Sequence, residues 1–400
     1  MSKQVLFYIP DLDQTVGGIR QYALNLLETI AGLDKGIFQI YVYHNVEDSQ
    51  VIDIIDKNEN CTLITDVDIY TPFINRKNYW RKKGMLLSQL LVGKQPYRFK
   101  EIAELDHFVQ NKEIDFIHVP YQYLPKTKSK VKIITTLHDV QELYFPEFFK
   151  ATNRAFRAQM YLDCVTKSHK IIVSYEHIAQ DLKKYFNANP QKLQVCLLNM
   201  KDLWFAKIEE KLQGVFPPSP FKEEYILFPA NFWKHKNHNR LIEAFAIYKA
   251  KSNSDLKLVL TGYNKNEVGL EAQQLGNNLG ILNSIVFAGL LDEEELYATY
   301  KNAHGVVIPT LYEAGSFPLM ESLILEIPVI CSNVTSLPET IGDDQFVFNP
   351  FNVNDIAEKI SLLAEDEKFR EQSILNCKKM STRIKDTGAE EIIKNIYLNA

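Results

Sequence analysis

Two carboxylates flank a loop of small residues in the segment IPTLYEAGSFPLMESLILEIPVICSNVTSLPE, which spans residues 308–339. Glu313 opens the loop, and Glu321 follows after seven intervening residues. Small residues let backbone N–H groups approach a ligand closely, and a helix N-terminus favours an anion. Carboxylates accept strong hydrogen bonds from hydroxyl groups. The combination predicts a site for a sugar nucleotide, although a loop acid and an acid that complements a helix dipole would also explain the pattern.

The segments on either side of this loop have the composition of buried strands. Gly305–Ile308 and Val329–Ser332 are short apolar runs, typical of a parallel sheet. Pro318 suits the first position of a helix, and Pro328 would end that helix. The order strand, loop, helix, strand places the loop at the carboxyl end of a parallel strand, where ligands of such sheets bind.

A lysine marks a second strand-to-helix loop earlier in the chain. Tyr225–Pro229 is a predicted strand, and Lys236 lies just before a predicted helix that runs to Ala250, within FPANFWKHKNHNRLIEAF. A lysine ammonium is a compact charge that suits a pyrophosphate. His235 and His238 lie beside it, but two histidines without a third ligand are weak evidence for zinc, so no metal site is predicted.

The spacing Glu, seven residues, Glu, followed by PVICS and LPE, resembles the retaining family-four glycosyltransferases of GT-B fold. Their usual loop is Glu-Gly-Phe-Gly-x-Pro, whereas this chain has Glu-Ala-Gly-Ser-Phe-Pro. The segment LHDVQELYFPEFF also resembles the mannosyl/rhamnosyl-transferase-like branch. The resemblance implies an α/β chain with two doubly wound parallel-sheet (Rossmann-like) domains facing a cleft.

The resemblance also implies roles for single residues. Glu313 would hold hydroxyls of the donor sugar, His138 would line the cleft near that sugar, and Lys236 would contact the donor's phosphates. Glu321 would hold ribose hydroxyls, and Asn231 stands where many members carry an arginine. The implied catalytic residues are therefore Glu313, His138 and Lys236. The implied donor-binding residues are Gly17, Gly18, Asn231, Lys236, Gly262, Gly315, Ser316, Phe317, Pro318, Leu319 and Glu321.

Some of these assignments have plainer alternatives. A histidine after a strand is commonly structural, and a Gly-Gly pair after a strand is commonly a plain turn, so His138, Gly17 and Gly18 depend on the resemblance. Arg20 would add positive charge beside that turn, or would be a solvated arginine.

A basic segment interrupts the acidic chain. Residues 76–100 hold eight basic residues and no acidic one, with leucines at helical spacing. Such a segment suits an anionic membrane surface, and the predicted contact and acceptor side is Trp80, Arg81, Lys82 and Lys83. The alternative is a helix that packs its leucines into the core and leaves a basic edge in water.

The whole chain bounds the class of protein. Its 400 residues predict four segments: an acceptor-side domain over 1–205, a linker over 206–222, a nucleotide-sugar domain over 223–385 and a C-terminal helix over 386–400 that crosses back. A net charge of -5 argues against a nucleic-acid partner. Five scattered cysteines, no signal peptide and no apolar run of about 20 residues predict a cytoplasmic protein, at the inner face of the membrane if the basic segment binds lipid.

The predicted function is transfer of a hexose, with mannose from GDP-mannose as the specific expectation. The acceptor would be a glycan or a lipid-linked acceptor in surface polysaccharide synthesis, and the anomeric configuration would be retained. No metal or other cofactor is expected, because the lysine and the helix N-terminus supply positive groups. The alternatives are a GT-B nucleotide-sugar epimerase and a non-catalytic relative that binds a nucleotide or glycan.

Overall fold

The computed structural model describes residues 2–12, 17–70, 100–200 and 205–400. The chain forms two compact units, and each is described by itself. The first unit comprises Met1–Val140, Phe149–Leu198 and Gly388–Ala400, and the second comprises Gln141–Phe148 and Asn199–Thr387.

The first unit is built on one parallel sheet. Its strands are β1 (Lys3–Tyr8), β2 (Phe38–Tyr43), β3 (Cys61–Ile64), β4 (Phe116–Val119), β5 (Lys132–Thr136), β6 (Lys170–Val173) and β7 (Leu193–Val195). Their order across the sheet is β3-β2-β1-β4-β5-β6-β7, and each neighbouring pair is parallel. The helices described in this unit are α1 (Gly17–Ala31), α2 (Ser49–Asp56), α3 (Asp66–Tyr70), α4 (Lys100–Asn111), α6 (Ala151–Lys167), α7 (Glu176–Phe186) and α16 (Ala389–Asn399).

Side chains of the first sheet alternate between two apolar cores. Val5 and Phe7 of β1 face the core that α1 and the C-terminal helix α16 complete. Leu6 faces the opposite core, which includes Phe108 and Val109 of α4. Alternation along a strand sends neighbouring side chains to opposite faces. Both faces of β1 are therefore covered, as parallel sheets require.

The second unit repeats this architecture. Its strands are β8 (Tyr225–Pro229), β9 (Lys257–Thr261), β10 (Ile285–Gly289), β11 (Gly305–Ile308), β12 (Val329–Ser332) and β13 (Val347–Phe348). Its helices, within the residues described, are α5 (Gln141–Tyr144), α8 (Ala206–Leu212), α9 (His238–Lys251), α10 (Glu267–Asn278), α11 (Glu293–Lys301), α12 (Phe317–Ile324), α13 (Leu337–Ile341), α14 (Val353–Glu365) and α15 (Glu367–Lys385). The strand order is β10-β9-β8-β11-β12-β13, again parallel throughout.

Each sheet has one point at which the chain order reverses. In the first sheet, β1 and β4 are neighbours, and in the second β8 and β11 are neighbours. Connections leave the two strands of such a pair in opposite directions, which opens a crevice at their carboxyl ends. Ligands of doubly wound sheets bind there. The predicted α/β class with two doubly wound parallel-sheet domains is confirmed.

The structure divides the chain at somewhat different places from the sequence prediction. The predicted linker over 206–222 contains helix α8, because AKIEEKL has neither glycine nor proline and favours a helix. Tyr297 of α11 donates a hydrogen bond to Glu209 of α8, over 3.1 Å, which fixes α8 in the second unit. Gln141–Phe148 also folds with the second unit, where the ring of Tyr144 contacts that of Tyr312. Gly388–Ala400 folds with the first unit.

Two expectations concern the protein's surroundings. Within the described ranges, no helix is both long and apolar enough to cross a membrane. The five cysteines are buried, and each is a free thiol. Burial raises the pKa of Cys164 to about 12, so this thiol remains protonated at neutral pH.

Candidate active site

An ion pair spans the reversal point of the second sheet. Lys236 lies on the loop after β8, and Glu313 lies on the loop after β11. The Lys236 ammonium lies 2.6 Å from Glu313 Oε1, and the two side chains are only 13% and 10% exposed. An ammonium has three donors, so one bond to Glu313 leaves two N–H groups for another anion. The pair positions a positive and a negative group side by side in the crevice where ligands bind.

The backbone of Glu313 is held from the segment before helix α13. The Glu313 N–H donates to Thr335 Oγ1 over 3.0 Å, and the Ser336 hydroxyl donates to the Glu313 carbonyl over 3.0 Å. Thr335 has a φ of 51°, a left-handed conformation that β-branched residues rarely adopt. Such strain persists where surrounding contacts hold it and is common at functional sites. Both hydroxyls come from VTSLPE, just before the LPE signature that the sequence singled out.

The small-residue loop leads into the N-terminus of helix α12, as the sequence predicts. Ser316 is the residue before the first turn, and its side chain does not cap the helix. Phe317 is the first helical residue, and Pro318 is the second. Leu319 is fully buried and anchors the first turn in the core. The N–H groups of a first helical turn lack helical partners and suit an anion, so Gly315–Leu319 can receive a phosphate.

The second acid, Glu321, is also fixed. Tyr300 of α11 donates a hydrogen bond to Glu321 Oε2 over 2.6 Å, and both residues are buried. Burial, followed by the nearby Glu321 carboxylate, raises the pKa of Tyr300 well above its usual value, so its hydroxyl stays protonated and donates. The sequence analysis missed Tyr300, because it lies 21 residues away in another helix, with no local pattern to mark it.

Asn231 and Gly262 bring two neighbouring loops together. The Tyr263 N–H donates to Asn231 Oδ1 over 2.7 Å. Gly262 has a φ of 94°, and a Cβ at this position would lie 2.5 Å from the Ala230 carbonyl oxygen. Real Cβ atoms do not approach that closely, so only glycine lets the loops after β8 and β9 meet here. Both residues therefore shape the loop that carries Lys236.

The histidines beside Lys236 have structural surroundings. His238 is buried, and its ring stacks on Phe232 with 3.9 Å between ring centroids. Burial, with smaller effects of Lys236 and His235, lowers the pKa of His238 to about 3, so it is neutral. In the part of the chain that is described, no group of three or more His, Cys, Asp or Glu side chains could hold a metal ion.

His138 lies in the first unit, at the carboxyl end of β5. Its Nε2 lies 2.9 Å from the Pro120 carbonyl oxygen, and its ring meets Tyr22 edge to face. A carbonyl only accepts hydrogen bonds, so Nε2 carries the proton. Burial lowers the pKa of His138, which keeps the ring neutral and leaves Nδ1 as an acceptor.

The remaining predicted residues of the first unit lie around helix α1. Gly17 and Gly18 are its first two residues. The positive charge of Arg20 is balanced within the first unit, because the guanidinium forms a bidentate ion pair with Asp48 over 2.6 and 3.1 Å. The predicted membrane-contact residues Trp80, Arg81, Lys82 and Lys83 lie outside the described residues.

Three comparisons with known proteins bear on this site. Residues 215–380 match the family described as "Glycosyl transferases group 1". O-antigen chain mannosyltransferase B of Escherichia coli is 22% identical over 371 residues, which cover 92% of each chain. The serotype-specific mannosyltransferase WbdA of Escherichia coli is 30% identical over 161 residues, which cover 40% of this chain and 20% of WbdA. Sucrose-phosphate synthase from Thermosynechococcus elongatus matches 100% of this chain and 99% of its own, with a TM-score of 0.67 and 16% identity.

The chain is a GT-B glycosyltransferase. These matches support the predicted resemblance to the family-four glycosyltransferases and to their mannosyltransferase-like branch. The matched region lies within the second unit and contains Lys236, Glu313 and Glu321. The roles of single residues stay predictions. The structure gives the positions and contacts of the charged side chains to which those roles are assigned.

The second unit of the glycosyltransferase collects most of the predicted residues at one end of its sheet. These are Glu313, Asn231, Lys236, Gly262, Gly315, Ser316, Phe317, Pro318, Leu319 and Glu321. Gly17, Gly18 and His138 belong to the first unit. The sequence analysis missed Asn237, whose side-chain amide donates to the carbonyls of Pro309 and Pro350 over 2.9 and 3.0 Å. This amide ties the loops that follow β8, β11 and β13.

Proposed function

We propose that this glycosyltransferase moves a mannose from GDP-mannose to a glycan or a lipid-linked acceptor, with retention at the anomeric carbon. The observation that carries the proposal is the Lys236–Glu313 pair beside the N-terminus of helix α12. The mannose assignment draws on the names of the two mannosyltransferase relatives and on the LHDVQELYFPEFF segment. The same relatives favour a role in surface polysaccharide synthesis, since one of them is named as an O-antigen chain mannosyltransferase.

The charges of the site suit departure of a nucleoside diphosphate. The bond between the anomeric carbon and the diphosphate oxygen breaks, and the electron pair leaves with the diphosphate. Lys236 and the N–H groups of Gly315–Leu319 would stabilise that developing charge, which is the largest contribution in many enzymes. Glu313 would hold hydroxyls of the transferred sugar, and Glu321, fixed by Tyr300, would hold those of the ribose.

The acceptor hydroxyl completes the reaction. Its oxygen bonds to the anomeric carbon on the face from which the diphosphate departs, and its proton passes to the leaving phosphate. His138 Nδ1, as a neutral acceptor, would receive a hydrogen bond from a hydroxyl of the donor sugar. Because protein groups supply the positive charge, we propose that no metal is required, and activity in the presence of EDTA tests this directly.

A nucleotide panel tests the donor. We expect GDP and GDP-mannose, but not UDP, dTDP, CDP or ADP, to raise the melting temperature. A ligand at a hundred times its dissociation constant adds about 2.7 kcal/mol to the stability, which is measurable. If another nucleotide alone raised the melting temperature, a sugar derivative of that nucleotide would replace GDP-mannose as the proposed donor. Product analysis without acceptor addresses the alternatives, because an epimerase would alter the donor sugar and a non-catalytic protein would release no diphosphate.

Replacing Lys236 by alanine tests the role of the Lys236–Glu313 pair. Loss of one group that stabilises transition-state charge commonly costs about 100-fold to 1,000-fold in rate, and we expect a fall of that order in kcat/KM for Lys236→Ala. Lys234 is the matched control, because it lies two residues away in the same turn with an exposed side chain. Lys234→Ala should transfer at the normal rate. Equal activity of the two variants would remove Lys236 from the mechanism.

Localisation at the inner face of the membrane is a separate proposal. It depends on segment 76–100, which contains the basic residues Arg81, Lys82 and Lys83 and the aromatic residue Trp80. Co-sedimentation with anionic vesicles, compared with neutral vesicles, is the measurement that decides it. We expect binding to the anionic vesicles that salt weakens, because screening shortens the range of the attraction.

A further inference from the structure

Two hydrogen bonds join the loops that follow β8 and β11. The Leu311 N–H donates to the His235 carbonyl over 2.8 Å, and the Asn237 side-chain amide donates to the Pro309 carbonyl over 2.9 Å. Lys236 is the residue between the two bonded positions of its loop. The same two loops carry the two charged groups of the candidate site, so these bonds hold the lysine from both sides.

The Asn237 side chain reaches a third loop as well. Its amide also donates to the Pro350 carbonyl over 3.0 Å, in the loop after β13. Both carbonyls lie just beyond the ends of their strands, where the sheet no longer supplies a regular set of donors. Asn237 is only 6% exposed, and a buried amide whose two hydrogens are both used has one favourable position. One side chain therefore holds three loops together at the carboxyl edge of the second sheet.

Arg240 determines which way the Asn237 amide points. The Arg240 guanidinium donates to Asn237 Oδ1 over 3.1 Å. A guanidinium only donates and a carbonyl only accepts, so the amide oxygen faces Arg240 and the amide nitrogen faces the two carbonyls. The guanidinium itself lies over the ring of Phe351, 5.6 Å from the ring centroid. Each polar atom of the Asn237 side chain thus has a partner, which fixes its orientation.

The backbone of Asn237 restricts the residue types that fit this position. Its φ is 65° and its ψ is 33°, a left-handed conformation just before helix α9. Glycine and asparagine adopt this conformation more readily than other residues do. Glycine would fit the backbone but would supply no amide. Aspartate would keep the shape of the side chain but would turn an acceptor toward two carbonyls.

We infer that Asn237 is a positioning residue for the transfer reaction, which acts through Lys236 by holding its loop against the loop of Glu313. The inference rests on the proposed function, in which the Lys236 ammonium stabilises the departing diphosphate. An ammonium on a flexible stem meets a developing charge only when its backbone is held in place. A displacement of about 1 Å in such a group can cost about 100-fold in rate.

Two substitutions of Asn237 test the role of its amide. Asn237→Gly removes the amide and keeps the left-handed backbone without strain, and we expect kcat to fall about tenfold to 100-fold. Asn237→Asp keeps the size of the side chain but has no donor for the two carbonyls, so its kcat should fall at least as far. Normal kcat in Asn237→Asp would show that the shape of the side chain suffices, and this result would overturn the inference.

A double-mutant cycle distinguishes positioning of Lys236 from a general effect on the fold. If Asn237 acts through Lys236, then Asn237→Gly has little left to remove once the lysine is gone. We expect the double variant with Lys236→Ala to transfer within about twofold of Lys236→Ala alone. The same fold loss from Asn237→Gly in both backgrounds would overturn the inference, because the asparagine would then act independently of the lysine.

Asn376→Ala is the matched control for lost stability. Asn376 is also a buried asparagine of the second unit, and its amide donates to the Ile341 carbonyl over 2.8 Å, between helix α15 and the last residue of α13. This variant should lower the melting temperature and leave kcat unchanged. Equal losses of kcat in Asn376→Ala and Asn237→Gly would mean that lost stability, and not positioning, lowers the rate, and would overturn the inference.

The single variants separate this inference from the proposed function. Full activity in Lys236→Ala would overturn the proposed role of the lysine, and with it the positioning role of Asn237. A strong loss in Lys236→Ala together with a normal kcat in Asn237→Gly would overturn the inference alone and leave the donor chemistry standing.

Discussion

Thr335 shows how one strained residue can serve a site. Its left-handed φ of 51° costs of order 1–3 kcal/mol, and its hydroxyl accepts the hydrogen bond of the Glu313 N–H. We expect Thr335→Gly to change the melting temperature little, because relief of strain offsets the lost bond and the flexibility of glycine. We expect its transfer rate to fall roughly tenfold, since Glu313 loses a support and small misplacements are costly.

The control for this prediction keeps the hydroxyl. Thr335→Ser retains the acceptor for the Glu313 N–H and should retain most of the activity. Steady-state kinetics and thermal unfolding on the two variants give the comparison. Full activity in Thr335→Gly would show that the Glu313 backbone needs no support from this position.

At the same scale, sequence reasoning found the charged groups but not their contacts. Lys236 and Glu313 each follow an apolar strand pattern, so their positions at strand ends were predictable. Their ion pair joins residues 77 positions apart, and only the order of strands in the sheet brings them together. Tyr300 was not predictable, because a tyrosine in an amphipathic helix carries no sign of the carboxylate it will meet.

At the level of secondary-structure elements, the site depends on the contact between the loops after β8 and β9. A substitution at Gly262 tests that contact. A Cβ there would meet the Ala230 carbonyl at 2.5 Å, so Gly262→Ala must displace the loop that leads to Lys236. We expect a loss of about 2 kcal/mol or more in stability, together with weaker nucleotide binding. Gly289→Ala is the matched control, since Gly289 has a φ of 73° with open space around its Cβ position.

The difference between the two glycine variants isolates the steric clash. Both alanines sit at positive φ, so both pay a similar backbone cost of about 1 kcal/mol. Urea unfolding and nucleotide titration on both proteins supply the numbers. Equal effects would mean that the loop before Lys236 adapts without consequence.

The C-terminal helix offers a prediction about how an element is anchored. Tyr397 of α16 lies 2.6 Å from His118 Nδ1, inside the core of the first unit. Burial raises the pKa of Tyr397 well above its usual value, so its hydroxyl donates to a neutral His118. Tyr397→Phe leaves that ring nitrogen unpaired and should cost about 1–3 kcal/mol in unfolding free energy.

A double-mutant cycle distinguishes an unpaired polar group from lost packing. Adding His118→Leu removes both partners, and stability should then recover in part. Additive losses in urea unfolding would contradict the coupling between the two residues.

Element prediction from the sequence succeeded where an apolar run was long enough to identify. Tyr225–Pro229, Gly305–Ile308 and Val329–Ser332 were predicted with their observed bounds, since each is a short run of mostly apolar residues. Strand β13 was missed because Val347 and Phe348 are only two residues, too few for a periodicity. Helix Ala206–Leu212 was missed because the neighbouring proline-rich run outweighed its own helical propensity.

Buried histidines in both units set the response of the whole molecule to acid. Burial lowers the pKa of His118 in the first unit to about 3, and it lowers that of His238 in the second to about 3. In the unfolded chain a histidine has a pKa of about 6.5. Below that pH these histidines bind protons in the unfolded state but not in the folded state. Their contribution to the free energy of unfolding is therefore fully present above about pH 6.5 and is lost progressively as the pH falls toward 3.

The size of the acid effect follows from the same pKa difference. At pH 5 each of these two histidines should remove about 2 kcal/mol of stability, at 1.36 kcal/mol for each pH unit below 6.5. We expect the urea midpoint to fall markedly between pH 7.5 and pH 5. His238→Phe keeps a ring to stack on Phe232 and removes the titrating group, so its midpoint should fall less over the same interval. A wild-type midpoint that stays constant over this interval would contradict the neutral, buried state of both histidines.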